Sequence, residues 1–229
     1  MDYRSRMWDI VARKEIDVVI PQCTRELPVL ANWQRSLVMV SPINAIRLAQ
    51  SKRWIMEHVG ESYRPVIAGG DYVAKPDTES GKRGFVDLRG MTVMEHLPGT
   101  EYSVDCFDQT AVVRRRDEVC GGVSAVTEVV EMPDIGSAAL RLGQDMGLTT
   151  CYGVQFKEDS RGNPKIIDCN PRVMGTMVCS ALAGVPLVWA SVCRVLGRKE
   201  PELGHPTIGT RFVRTRGGLG YIDGKIVHV

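Results

Sequence analysis

The sequence predicts a mixed fold, an α/β beginning that passes into an α+β body. Three observations predict it. Near the N-terminus, strand-like apolar runs alternate with helical ones, the texture of a parallel layer. From Asp71 onward, short β-rich runs succeed one another directly, as antiparallel strands do. A single long helical stretch then interrupts these runs before a last apolar hairpin.

The opening reads as a helix from about Tyr3 to Lys14, a strand at 17–21 (DVVIP), a short helix near 24–31 and a strand at 37–41 (LVMVS). Two strands are fewer than the roughly four to six of an ordinary sheet, so this part is expected to be a partial Rossmann-like layer. Residues 41–59, SPINAIRLAQSKRWIMEHV, predict one amphipathic helix capped by Ser41, with Ile43, Ile46, Leu48, Trp54 and Ile55 on its apolar side. The β-rich runs are DYVAK, MTVMEH, EYSVDCFD, TAVVRRR and a strand around 123–130. A helix from Asp134 to Met146 follows, then the hairpin at 153–172, helices at 176–184 and 186–196, and a strand near 208–214.

Composition narrows the function. The 229 residues carry 29 basic against 27 acidic side chains, a formal charge of +2, which gives no bulk attraction to nucleic acid or to an anionic membrane. The basic clusters at 114–116 and 211–216 are local, and a solvated face accounts for them. No apolar run approaches the ~20 residues of a membrane helix and no leader is evident, so a cytoplasmic protein is expected. Seven scattered cysteines without a C-x-x-C pair speak against a disulfide framework and against zinc.

The hairpin GVQFKEDSRGNPKIIDCNPR, residues 153–172, carries the most chemistry. The pleat puts Val154 and Phe156 on one face and Gln155 on the other, and it groups Ile166, Asp168 and Asn170. A turn centred on Arg161 and Gly162 sets residues whose numbers sum to 323 opposite each other, so Gln155 faces Asp168. Three oxygen-bearing side chains then converge, as suits a hard cation whose remaining ligands are phosphates. The alternative is a half-buried hairpin whose polar face meets water.

Two further stretches are weaker. In YVAKPDTESGKRG, a strand delivers Lys75 to a loop containing Gly81 and Gly84, where backbone N–H groups can approach an anion; it is not a Walker loop. In TVMEHLPGTEYSVD, an extended segment breaks at Pro98-Gly99 and could offer its backbone to the edge of a base.

Taken in order, AKPDTESGKRG, VMEHLPGTEYSVD and YGVQFKEDSRGNPKIIDCNPR resemble the ATP-grasp superfamily, within it the carbamoyl-phosphate-synthase-like carboxylate–amine ligases. The resemblance spans about Asp17 to Arg214. It implies an ATP-grasp fold of two α+β subdomains preceded by a partial pre-ATP-grasp domain: residues 1–41, then 42–229 with a shortened lid at about 71–105. It implies ATP with Mg²⁺, or Mn²⁺ in its place, small-molecule carboxylate and amine substrates, and it admits a homodimer. By resemblance, Lys52 and Lys75 contact phosphate beside Gly81 and Gly84. Glu95, His96 and Leu97 hold the adenine, and Glu101 lies near the ribose. Gln155, Asp168 and Asn170 are the metal ligands, and Arg172 steadies the transferring phosphoryl group or the acyl-phosphate; Arg172, with Arg114 at the end of the strand TAVVR, is expected to hold the carboxylate.

The chain departs from the family where only VDLRG separates Phe85 from Met91, and where the first strands of the preceding layer are lacking. The expectation is a chain trimmed by nature, a fragment, or one lacking flexible segments. An ADP-forming ligase and a non-catalytic nucleotide-binding module both remain open on these grounds.

Overall fold

The computed structural model describes residues 3–32, 37–66, 72–76, 91–120, 123–214, 219–222 and 225–228. Helices α1 (Tyr3–Arg13), α2 (Leu27–Ala31), α3 (Ile43–Gln50) and α4 (Lys52–His58) lead to strands β1 (Tyr72–Pro76) and β2 (Met91–Glu95). These two strands form a small antiparallel sheet of their own, with Tyr72 opposite Glu95 and Pro76 opposite Met91. The larger sheet contains β3 (Glu101–Phe107), β4 (Thr110–Cys120), β5 (Val123–Val129), β6 (Tyr152–Glu158), β7 (Pro164–Asn170), β8 (Arg211–Val213), β9 (Leu219–Ile222) and β10 (Lys225–His228). Among the described residues its eight strands run in the order β10-β9-β8-β5-β4-β3-β6-β7, each pair antiparallel. Helix α5 (Pro133–Met146) links β5 to β6, and α6 (Val178–Leu182) and α7 (Leu187–Val195) link β7 to β8.

The alternation of β3 assigns the two faces of this sheet. Tyr102, Val104 and Cys106 point to one side and join Val113, Val154, Phe156 and Ile166 beneath α3, α4 and α5. Phe107, with Val112 and Val129, points to the other and packs under α6 and α7. Val104, Phe107, Val112, Phe156 and Ile166 are all fully buried, and each such side chain contributes about 1.5–3 kcal/mol. The remainder of the second face, toward β6 and β7, is polar, and it positions the site described below.

The N-terminal strands do not form as expected. Among the described residues, 17–21 and 37–41 share a single parallel bridge, Val19 with Val38, in which Val19 N–H donates to Leu37 and Met39 N–H to Val19. Tertiary burial replaces the ladder: Met39 lies in the core under α6 and α7, with Val18 and Ile20 packed against it. The smaller sheet also ends earlier than 105, because Glu101–Phe107 pairs with β4 and β6.

The expected helix over 41–59 is two helices. Ser51 takes an extended backbone, φ −89 and ψ 105, and its hydroxyl accepts the Trp54 N–H at 3.2 Å, so it ends α3 and caps α4. Ser41 caps nothing. Its Oγ instead accepts the N–H groups of Thr149 (3.1 Å) and Thr150 (3.3 Å) and lies 3.0 Å from Thr150 Oγ1. The capping pattern is local, and it could not register a loop more than a hundred residues away. Replacing Ser41 with alanine strands two backbone donors in a buried joint, so the urea midpoint should fall by the equivalent of about 1–3 kcal/mol. A variant as stable as the parent would show that water replaces the hydroxyl.

Candidate functional site

The site is built on the β6–β7 hairpin, and its register holds for a reason other than the expected one. Near the turn, Glu158 faces Pro164, Lys157 faces Lys165 and Phe156 faces Ile166, whereas farther along Gln155 faces Asp168 and Gly153 faces Asn170. The turn is therefore a five-residue loop, 159–163, rather than a two-residue one. Asp159 Oδ1 accepts the N–H groups of Arg161 and Asn163, both at 2.9 Å, and Gly162 takes φ +82, a left-handed conformation open to glycine. Ile167 is left over as a bulge, and the bulge reverses the pleat. Ile166 therefore joins Cys169 in the apolar core, not Asp168 and Asn170 on the polar face.

On that face the hairpin's polar groups are linked into one line of contacts. Lys52, almost wholly buried at the first turn of α4, lies 3.7 Å from Asp168 Oδ1. Asp168 Oδ2 accepts the Asn170 amide at 3.3 Å, and Asn170 Oδ1 accepts Arg172 Nη2 at 3.0 Å. Arg172 also donates Nε to Thr24 Oγ1 at 3.1 Å and Nη1 to the Val173 carbonyl at 3.1 Å. Burial lowers the Arg172 pKa from its ordinary value, and the Asp168 carboxylate opposes that shift. Gln155, opposite Asp168, has no hydrogen bond to the other described side chains, which leaves its carbonyl available. The donors Gln155, Asp168 and Asn170 are all oxygen-bearing with one carboxylate, a set that fits a hard divalent cation sharing its shell with phosphate oxygens. Among the described residues, no group of three or more His, Cys, Asp or Glu is arranged for a metal.

The segment between the two sheets is fixed to the same hairpin. Gly99 N–H donates to the Glu158 carbonyl (3.0 Å), and Glu158 N–H donates to Thr100 (2.9 Å). The Glu158 carboxylate takes the Thr100 N–H at 3.1 Å and the Tyr102 hydroxyl at 2.8 Å. Burial, with this bond to Glu158, pushes the Tyr102 pKa up to about 12. A Cβ on Gly99 would lie 2.6 Å from Glu158 Cβ, so only glycine permits the approach. Just before it, Leu97 is buried and His96 exposed, while Glu95 receives the Val66 N–H on its carboxylate (2.8 Å) and donates its own N–H to the Val66 carbonyl (2.9 Å). Lys75 lies in β1 opposite Thr92; its side chain, like Gly81 and Gly84, lies outside the described residues.

Two arginine–carboxylate contacts change the expected roles. Arg114 is fully buried and grips Asp105 with two bonds, Nε to Oδ2 at 2.7 Å and Nη2 to Oδ1 at 2.6 Å. Its Nη1 donates to Thr176 at 2.7 Å, and Ser180 donates to Asp105 at 2.6 Å. Burial works against the charged guanidinium, but Asp105 outweighs it and raises the Arg114 pKa. Committed in this way, Arg114 does not present its guanidinium to an incoming carboxylate; it ties the sheet to the segment that follows Arg172. Glu101, likewise, is bracketed by Arg116 (2.8 Å) and Lys157 (3.0 Å).

Asp105, Thr176, Ser180, Glu158 and Thr24 were missed by sequence reasoning. For Asp105 there was a signal: EYSVDCF alternates Glu101, Ser103 and Asp105 with Tyr102, Val104 and Cys106, which sets the acid on the face of Gln155. For Thr24, 148 residues from Arg172, there was none.

The small two-stranded sheet and the large antiparallel sheet, with a polar hairpin at one edge of the latter, define an ATP-grasp fold, and solved structures agree. Biotin carboxylase from Campylobacter jejuni, in a β,γ-ATP complex, superposes with a TM-score of 0.74 at 11% identity, over 93% of this chain and 62% of that one. The biotin carboxylase domain of 2-oxoglutarate carboxylase from Hydrogenobacter thermophilus, with MgADP, ADP and bicarbonate, gives 0.70 at 12% identity, over 92% and 61%. An L-amino acid ligase from Bacillus licheniformis gives 0.66 at 13% identity, over 90% and 64%. The chain thus spans less than two thirds of the length of each. A sequence comparison with curated proteins finds no match. The profile of the family described as "ATP-grasp in the biosynthetic pathway with Ter operon" matches residues 87–217, more than half of the chain, and the chain belongs to that family.

Asp105→Ala should cost about 3–5 kcal/mol, because it leaves the Arg114 charge buried without its partner, and chemical denaturation measures this directly. Gly99→Ala should instead leave the core intact while displacing the connection between the sheets; a crystal structure with Thr100 still bonded to Glu158 would contradict that.

Proposed function

We propose that the chain is the nucleotide-binding and catalytic part of an ATP-dependent, ADP-forming carboxylate–amine ligase of the cytoplasm. The observation that carries the reading is the contact line from Lys52 through Asp168 and Asn170 to Arg172, on the polar face of the sheet of an ATP-grasp family member. Among the described residues no helix is long and apolar enough to cross a membrane.

In this reading Asp168, Gln155 and Asn170 would hold Mg²⁺, which when bound neutralises the charge that accumulates on the phosphates. Lys52 and Lys75 hold the phosphate chain, the backbone around Glu95, His96 and Leu97 lies against the adenine, and Glu101 orders the strand edge near the ribose. Arg172 faces the reacting carboxylate. A carboxylate oxygen attacks the γ-phosphorus and ADP leaves; an amine then attacks the acyl carbon, phosphate leaves, and the nitrogen loses a proton. Positioning and charge neutralisation suffice for both steps, so no Ser, Cys or His nucleophile is required. Arg114 serves by fixing the backbone behind Arg172 instead of binding substrate.

MgATP at a hundredfold excess over its Kd should stabilise the protein by about 2.7 kcal/mol, read as a rise in Tm. No rise at millimolar MgATP would refute the proposal. ADP release measured across carboxylates with pooled amines then separates an enzyme from a module that only binds. Asp168→Asn keeps the size of the side chain but removes the one charge among the metal donors, so turnover should drop by a factor on the order of a hundred with the circular dichroism unchanged. Full activity with normal Mg²⁺ dependence would overturn the assignment.

A further inference from the structure

Asp168 is the only carboxylate among the three metal donors, and Lys52 already stands 3.7 Å from it. The lysine side chain is 8% exposed and the aspartate 23%, so the pair is only partly screened by water. Arg172 reaches the same carboxylate through Asn170. Along this line the Lys52 ammonium is the cation nearest to the Asp168 carboxylate, and Arg172 is linked to it through one amide. A bare dication binding Asp168 would have to stand beside that ammonium or displace it, whereas a polyphosphate would give the ammonium a partner of its own.

We infer that Lys52 is the resident counter-ion of Asp168, so that the site excludes a divalent cation on its own and admits one only together with a polyphosphate. The inference rests on the metal role proposed for Asp168. Phosphate oxygens arriving at Lys52 give the ammonium group a new partner, and the Asp168 carboxylate is released to the metal that the phosphates carry. Metal and nucleotide binding are then coupled: each removes what opposes the other. The break at Ser51 matters here, because it is Ser51 that starts α4 afresh and stations Lys52 in its first turn.

The test separates metal from nucleotide. Mn²⁺ alone, titrated into the full chain and followed by loss of the free-ion electron paramagnetic resonance signal, should bind the parent no tighter than millimolar. Lys52→Gln should bind Mn²⁺ about tenfold more tightly, the order expected for removing one like charge from a partly screened site, while its affinity for MgATP falls. Opposite signs from one substitution are what a merely structural lysine would not produce. Lys52→Arg, which keeps the charge, should retain the exclusion, and adding Asp168→Asn to Lys52→Gln should abolish the gain. Should Lys52→Gln lose its native circular dichroism, Lys52→Met, which keeps the buried stem, gives the same readout. Equal Mn²⁺ affinity in parent and variant, tight Mn²⁺ binding by the parent, or a gain that survives Asp168→Asn would each overturn the inference. A parent that binds no MgATP would refute the proposed function, and the Mn²⁺ comparison would still decide the role of Lys52.

Discussion

The Asp105–Arg114 pair is the constraint on which the arrangement of the site depends. It lies at the middle of the large sheet, where β3 meets β4, with both side chains entirely out of water. A buried ion pair persists only when its remaining donors and acceptors are also satisfied, and here Thr176 and Ser180 satisfy them. Both partners come from the stretch after β7. The electrostatic need of the sheet centre is therefore met by residues that hold down the chain just beyond Arg172.

Around this anchor, small departures from regular structure aim the functional groups. The bulge at Ile167 lets one strand serve two purposes: Ile166 and Cys169 fill the core, while Asp168 and Asn170 stay on the polar face. The break at Ser51 turns one helix into two and sets Lys52 beside β7. The close approach of Gly99 to Glu158 fixes where the small sheet departs from the large one. Each departure is local in cost, and under the proposed function the placement it sets matters, because misplacement by about an ångström can cost a hundredfold.

The charge of the site follows the same economy. One carboxylate is shared among a lysine, an amide and, through the amide, an arginine, so the protein holds the hairpin's polar groups in place without a metal. Two amides and one carboxylate leave the pocket less negative than three carboxylates would, which suits the anionic ligands of the proposed function.

The sequence by itself determined strands β1 to β8 and the helix before the hairpin, because pleat and helix periodicity act over a few residues and are written in their order, whereas Gln155 stands opposite Asp168 only through the five-residue loop and the bulge at Ile167. The alternation in EYSVDCF likewise contained the position of Asp105. The tertiary structure alone decided that Arg114 is a buried tie, that Ser41 serves the loop at Thr149 instead of a helix, and that the N-terminal runs dock on the core in place of forming a sheet. It alone brought Thr24 to Arg172 and Lys52 to Asp168. These partners lie from nine to more than a hundred residues apart, and their pairing is set by burial and by the need to satisfy buried charge, which depend on how the whole chain packs and leave no periodic trace in it.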